Sequence, residues 1–517
     1  MDDRNNVRGE QVGVYPQREG RIDSGDRLQE VEREGQRPRG AGGGKLALLI
    51  AGPLLALLPL LIAAPAGLPE PAWRLVGLTA WMVLWWLSEV VPLAATALLP
   101  LPFMPLLGIA PEGETAANYA NPIIFLFMGG FFIAAAMQRW GLHRRIALNI
   151  VRLIGTSPAG IVAGFTAATA FLSMWISNTA TAVMMFAVGI SLIDYLKQHL
   201  ADRSQVRNFG VALMLSIAYG ASIGGVGTLI GTPPNTLMAS FLASTYGLEV
   251  SFARWMALGV PLLLVMLPLG WLWLTRVAFP VRGLELGAAG DKIREDIRAL
   301  GTMNRGEKIV LGVFVATALA WMFRPLLSTW TGLTLSDTTV ALIAATLLFA
   351  IPVSRREGFT LTWREAQEIP WGVLLLFGGG LALAGAFGST GLAEAIGDGV
   401  SGLQGVSIWW VVLIVTAVIV FLTELTSNTA TAATFLPIMG AVAVGLGQSP
   451  LLLVVPVAVA ASMAFMMPVA TPPNAIVFAY DDLDIRDMIR AGLFMNLLSI
   501  TVIFLAMLVL APLVFGM

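Results

Sequence analysis

Long apolar runs fill the chain from residue 46 onward, separated by short polar connections. Segments of spanning length fall at 46–64, 72–88, 91–108, 117–140, 208–245, 255–279, 308–325, 337–353, 367–388, 450–479 and 491–515. They are read as helices because about 20 apolar residues at a rise of about 1.5 Å each match the hydrocarbon thickness of a bilayer. Two further apolar stretches, 159–199 and 407–447, are each about 40 residues long with a polar break in the middle. Both start and finish on one side of the membrane, whether they cross twice or dip in and return, and length alone allows either. The pattern predicts an all-α polytopic membrane protein with about 11 transmembrane helices besides these two hairpins.

Composition agrees. Of 517 residues, 57% are hydrophobic and only 12% charged, against about 25% charged in soluble domains. Residues 1–45 hold nine of the 31 Lys and Arg and nine of the 32 Asp and Glu. This polar, Gly-ended stretch is read as a disordered cytoplasmic tail rather than a signal peptide. With the N-terminus in the cytoplasm, every Lys and Arg except Arg74, Arg254 and Arg324 falls on the inner side. That bias orients the chain in the plasma (inner) membrane with an external C-terminus. The absence of Cys excludes disulfides, thiolate metal sites and cysteine nucleophiles, and two His, His143 and His199, are too few for a multi-histidine metal centre. No basic block points to nucleic acid.

An internal repeat carries the chemistry. Ser177-Asn178-Thr179-Ala180-Thr181 recurs 250 residues later as Ser427-Asn428-Thr429-Ala430-Thr431. The same offset pairs Phe127 with Phe377, Gly129-Gly130 with Gly379-Gly380, Gly141-Leu142 with Gly391-Leu392, and Ile146 with Ile396. Gly231-Thr232-Pro233-Pro234-Asn235 returns as Ala470-Thr471-Pro472-Pro473-Asn474 at an offset of 239. The copies divide the chain into the tail, a first half over 46–279 with the 159–199 hairpin, a cytoplasmic connection over 280–307, and a second half over 308–517 with the 407–447 hairpin. In the orientation above the halves face opposite ways, an arrangement found in secondary transporters with midplane sites.

Each Pro pair removes backbone donors and clashes with preceding carbonyls, so neither helix runs through unbroken. The carbonyls freed at Gly231 and Ala470, with Ser, Thr and Asn oxygens, are hard neutral ligands suited to Na⁺. Helix N-termini beside them attract an anion. No Lys or Arg occurs between Arg152 and Lys197, between Arg207 and Arg254, or between Arg364 and Arg486. An anion held by these motifs would therefore need a bound cation to neutralise it. Glu424 is the one carboxylate close to a motif; its repeat counterpart is Met174, and it is read as a cavity-lining or hydrogen-bonded side chain, with a proton role as the lesser alternative. An intramembrane enzyme finds no support, because neither motif pair holds a nucleophile–base pair or a metal cluster.

Paired Ser-Asn-Thr motifs, each followed by a Thr-Pro-Pro-Asn break, resemble the divalent anion/sodium symporter (DASS) family, which includes sodium-coupled dicarboxylate, citrate and sulfate transporters. The resemblance covers residues 46–517. It implies two re-entrant hairpins, an inverted-repeat elevator mechanism and a homodimer. It implies one sodium site at Ser173, Ser177, Asn178 and the Gly231 carbonyl, and a second at Thr423, the Thr426 backbone, Asn428 and the Ala470 carbonyl. It also implies a small anionic substrate held by Asn178, Thr179, Thr232, Ser427, Asn428, Thr429 and Thr471. C4-dicarboxylates with Na⁺ coupling lead; exchange without sodium, or citrate or sulfate as substrate, remain alternatives.

Overall fold

Apolar helix formers punctuated by Pro and Gly give an almost wholly helical protein in the computed structural model, which describes residues 43–516 apart from 156, 200–202, 282–286, 401, 403 and 404. The tail over 1–42 lies outside the described residues. One two-stranded antiparallel ribbon, Pro352–Ser354 with Gly358–Phe359, interrupts the helices. Gly358 takes the left-handed conformation there (φ 73°), which lets the polar Arg355-Arg356-Glu357 segment turn back tightly.

Eight helices among the described residues are long and apolar enough to span a bilayer, or nine if Arg305–Met322 and Arg324–Thr331, bent by 86°, form one span. Shorter apolar helices join them, including Pro158–Ser173, Asp337–Ala350, Ile408–Leu422 and Leu451–Ala460. The expected 91–108 span is two short pieces, Leu93–Thr96 and Pro100–Leu106. Pro92, Pro100, Pro102 and Pro105 explain this, since each lacks a backbone donor and crowds the preceding turn. Large apolar side chains such as Leu54, Leu264 and Leu505 stay exposed on long helices, as surfaces meeting hydrocarbon require.

The repeat seen in sequence is also a repeat of structure. Gly141 and Gly391, at φ 69° and 82°, both reverse the chain after a long helix, Pro122–Arg139 or Trp371–Ser389. Each is followed by an amphipathic helix, Leu142–Ile154 or Leu392–Val400. Phe127 and Phe377, mates in the repeat, meet edge to face with ring centroids 5.1 Å apart.

The two long apolar stretches are each two helices joined at the Ser-Asn-Thr motif. Ser157 caps Pro158–Ser173 by accepting the Gly160 N–H, and a short segment leads to Asn178–His199. In the second half a short segment leads from Ile408–Leu422 to Asn428–Gly445. Both Pro-Pro motifs break their helices as expected: Arg203–Val226 restarts at Pro233–Tyr246, and Leu451–Ala460 restarts at Pro472–Phe478. Pro at these first helical turns is favourable, because its missing N–H would have no partner there.

The halves interlock. Pro233–Tyr246 packs on Asn428–Gly445 and Leu451–Ala460, while Pro472–Phe478 packs on Asn178–His199 and Arg203–Val226. The second break also touches the helix that leads into the first, with the Tyr219 ring edge-on to Phe465 at 5.0 Å and its hydroxyl donating to the Phe465 carbonyl at 3.4 Å.

Candidate functional site

Small residues let Pro158–Ser173, the helix that ends at the first tip, pack closely on Arg203–Val226, the helix that leads into the first break. A Cβ on Gly220 would come within 2.9 Å of the Thr166 carbonyl oxygen, and one on Gly224 within 2.3 Å of the Ala170 carbonyl oxygen. Only Gly permits this approach, which carries Ser173 and Asn178 to the break.

There the predicted oxygens gather. Buried Ser173 places its hydroxyl 2.5 Å from Asn178 Oδ1 and 2.7 Å from the Ala221 carbonyl oxygen. With the amide so oriented, three oxygens share one hydroxyl proton, leaving lone pairs that suit a cation. The Asn178 amide oxygen and the Gly231 carbonyl oxygen lie 2.8 and 3.2 Å from a single point, the position a Cβ on Gly225 would occupy. Among the described residues the Gly231 carbonyl receives no hydrogen bond, as a free ligand requires. Gly231 is needed for its own reason, because a Cβ there would meet the Gly225 carbonyl oxygen at 2.4 Å. Ser177, the remaining predicted ligand, spends a lone pair capping the return helix, accepting the Ala180 N–H at 3.3 Å.

The second tip repeats this arrangement. Buried Thr423 places its hydroxyl 2.8 Å from Asn428 Oδ1 and 2.8 Å from the Ala461 carbonyl oxygen. Thr426 bonds through its hydroxyl to the Leu422 carbonyl and pairs with Thr431 at 2.7 Å, so only its backbone is left for an ion. The Ala470 carbonyl, like that of Gly231, receives no hydrogen bond among the described residues. The structure draws Ser173, Asn178 and Gly231 together, and separately Thr423 and Asn428; among the described residues no hydrogen bond joins Ala470 to Asn428.

Glu424 takes the hydrogen-bonded role. Its buried carboxylate accepts the backbone N–H groups of Phe465, Met466 and Met467 at 2.7–3.1 Å and the Asn496 amide at 2.8 Å. Thr423 and Glu424 together replace what the break forfeits: one takes the Ala461 carbonyl, the other the N–H groups that a continuing helix would have used. The first half needs no such carboxylate. Its Arg203–Val226 helix continues to Val226, and Thr228 instead donates its hydroxyl to the Met174 carbonyl.

The anion-binding candidates surround four helix starts. Thr179 is exposed, and Asn178, Ser427, Asn428 and Thr429 are half-buried. Ser427 and Thr232 occupy cap positions without bonding their own helices, whereas Thr471 accepts the Asn474 N–H at 3.2 Å. Ser427 and Thr232 thus keep their hydroxyls for other partners, and Thr471 keeps its proton. The described ion pairs of Lys and Arg involve no residue of either tip or break; among them are Arg139 with Glu365, Arg145 with Glu307, Lys197 with Asp482, and Arg207 with Asp484 and Asp487.

Residues 45–516 match the family described as the sodium:sulfate symporter transmembrane region. The chain belongs to that family. The motifs' resemblance to divalent anion/sodium symporters is therefore kinship. The chain is 44% identical over 480 residues to the sodium-dependent dicarboxylate transporter SdcS of Staphylococcus saprophyticus, with 92% of each chain covered. It is 42% identical, at the same coverage, to SdcS of Staphylococcus aureus. Solved structures share the fold at low identity: the YdaH transporter of Alcanivorax borkumensis (TM-score 0.56, 14% identical, covering 87% of this chain and 98% of that one) and MtrF of Neisseria gonorrhoeae (TM-score 0.52, 12% identical, covering 76% and 82%). This chain is a multi-pass membrane transporter.

Sequence reasoning passed over Gly225, Tyr219, Asn496 and the Asn that closes each Thr-Pro-Pro-Asn motif. The last pair had a signal, since Asn235 and Asn474 are duplicated. Gly225 has a testable consequence. In Gly225→Ala the new methyl would sit 2.8 Å from Asn178 Oδ1 and 3.2 Å from the Gly231 carbonyl oxygen, so the amide must turn aside and the carbonyl shift slightly. The half-saturating Na⁺ concentration for transport should rise about tenfold, as expected for one lost contact to a charged partner, with folded yield maintained. Sodium titration of uptake reads this directly; an unchanged titration would remove Asn178 from the cation cage.

Proposed function

We propose that the protein imports divalent anions, C4-dicarboxylates such as succinate, malate or fumarate, by coupling their entry to Na⁺, and that it is not an enzyme. The observation that carries this reading is the duplicated meeting of a hydroxyl with an Asn amide, Ser173 with Asn178 and Thr423 with Asn428, in stretches of sequence without Lys or Arg. Neutral Ser, Thr, Asn and carbonyl oxygens fit Na⁺, and Na⁺ supplies the positive charge that a dianion needs there. One ion is held by Ser173, Ser177, Asn178 and the Gly231 carbonyl, the other by Thr423, the Thr426 backbone, Asn428 and the Ala470 carbonyl. The substrate carboxylates meet Asn178, Thr179, Thr232, Ser427, Asn428, Thr429 and Thr471. Kinship with sodium-dependent dicarboxylate transporters supports both the ion and the substrate class.

The architecture follows from the same reading. The two halves are inverted repeats with re-entrant hairpins, and the contact of repeat mates Phe127 and Phe377 is what an axis relating the halves would produce. The transport part moves elevator-fashion in each protomer of a homodimer, in a plasma membrane with a cytoplasmic N-terminus, an external C-terminus and about 11 spans. Uptake of labelled succinate, malate, fumarate, citrate and sulfate into proteoliposomes tests the substrate class. The C4-dicarboxylates should be accumulated and should compete with one another. Accumulation of sulfate with no competition by dicarboxylates would replace the substrate assignment.

A further inference from the structure

We infer that Asn235 and Asn474, the residues closing the two Thr-Pro-Pro-Asn motifs, are positioning residues that hold the helix breaks in the shape which presents the Gly231 and Ala470 carbonyls to the coupling ions. The inference rests on the reading of those carbonyls as ligands. Both Asn are fully buried. Asn235 Nδ2 donates to the Gly225 carbonyl at 3.1 Å and to the Thr228 carbonyl at 2.7 Å. Asn474 Nδ2 donates to the Ala464 carbonyl at 3.2 Å and to the Met467 carbonyl at 3.0 Å. Gly225, Thr228 and Asn235 become Ala464, Met467 and Asn474 under the single offset of 239. The two halves, with different residues around them, build the same staple.

The staple reaches the cage through few atoms. In the first half Asn235 holds Gly225, and Gly225 abuts both the Asn178 amide and the Gly231 carbonyl. In the second half the Met467 carbonyl held by Asn474 also accepts the Ala470 N–H at 3.2 Å, which aligns the very peptide segment whose carbonyl is free. Each amide uses its protons on carbonyls, while its oxygen has no hydrogen-bond partner among the described residues. Turning the amide over would set that oxygen against two carbonyl oxygens, so its orientation is fixed. Neither Asn is itself a proposed ligand of ion or substrate; each acts by closing a loop that the Pro pair has opened.

The test is a pair of titrations on the full-length protein in proteoliposomes, for Asn235→Ala and Asn474→Ala, with Asn235→Ser and Asn474→Ser as milder variants that keep one donor. Each Ala variant should raise the half-saturating Na⁺ concentration about tenfold, and each Ser variant less, because two hydrogen bonds of ordinary strength are lost or one is kept. The succinate KM at saturating Na⁺ should change less than about twofold, since the substrate contacts are untouched. Purified protein should lose the thermal stabilisation that Na⁺, but not choline, gives the wild type. That differential shift separates positioning from a general loss of stability, and the Ser variants carry the test if the Ala variants do not fold. Wild-type Na⁺ dependence in the variants would overturn the inference, as would equal losses of Na⁺ and succinate affinity. Asn178→Ala run alongside distinguishes the levels: if it too leaves Na⁺ dependence unchanged, the carbonyl-cage reading is what has failed.

Discussion

Asn178→Ala and Asn428→Ala are each expected to lower dicarboxylate uptake about 100-fold while leaving a monodisperse, folded protein. In the proposed arrangement each amide stands where a cation cage and an anion site meet. Its Oδ1 lies 2.5 Å from the Ser173 hydroxyl in one tip and 2.8 Å from the Thr423 hydroxyl in the other, and each Asn begins a helix whose free N–H groups face the same region. Contacts to charged partners contribute about 1.5–3 kcal/mol each, and about 1.4 kcal/mol is a factor of ten, so losing one contact to the ion and one to the substrate gives that figure. Folding should survive because both Asn are half-buried at tips and not in the packed arms. The measurement is initial-rate uptake of labelled succinate at saturating Na⁺, followed by a Na⁺ titration of whatever rate remains. Wild-type rates and sodium dependence in both variants would sink the shared-site arrangement.

What the sequence revealed and what it hid divide along a physical line. The helix breaks were legible because Pro acts on its own backbone, and Pro233 and Pro472 do begin new helices. The meeting of Ser173 with Asn178, and of Thr423 with Asn428, was implied by the family resemblance and mirrored by the repeat. Spans were less legible where Pro is dense: 91–108 has spanning hydropathy yet forms two short helices. The replacement of Gly231 by Ala470 looked neutral, since both offer a carbonyl. The constraint lies in the neighbouring Gly225 carbonyl, 2.4 Å from where a Cβ would stand, and no local pattern reports a backbone approach of that kind. Glu424 shows the same limit. Three of its partners are backbone N–H groups of Phe465, Met466 and Met467, residues whose side chains advertise nothing polar. Only the packing of a tip against a distant break creates that acceptor's surroundings.

The largest effect of all should come from withdrawing sodium. A dianion entering a region without Lys or Arg carries a desolvation penalty of several kcal/mol per uncompensated charge, so binding without a counter-cation is negligible. Two cages are proposed, each of neutral oxygens around one Asn, and two Na⁺ would bring substrate and ions to electroneutrality. Accumulation of succinate in proteoliposomes should therefore fall to background when external Na⁺ is replaced by choline. Potassium should not rescue it, because a larger ion suits poorly a compact set of oxygens read as fitted to Na⁺. Preloading with dicarboxylate should be unnecessary, since each substrate brings its own neutralising ions inward. A net inward current accompanying uptake would mean more than two Na⁺ per dianion and hence a further ion site outside the two cages. Uptake that ignores Na⁺ and demands an internal counter-anion would instead make the protein an exchanger, its neutralising charge coming from a side chain that reaches the tips during the transport cycle.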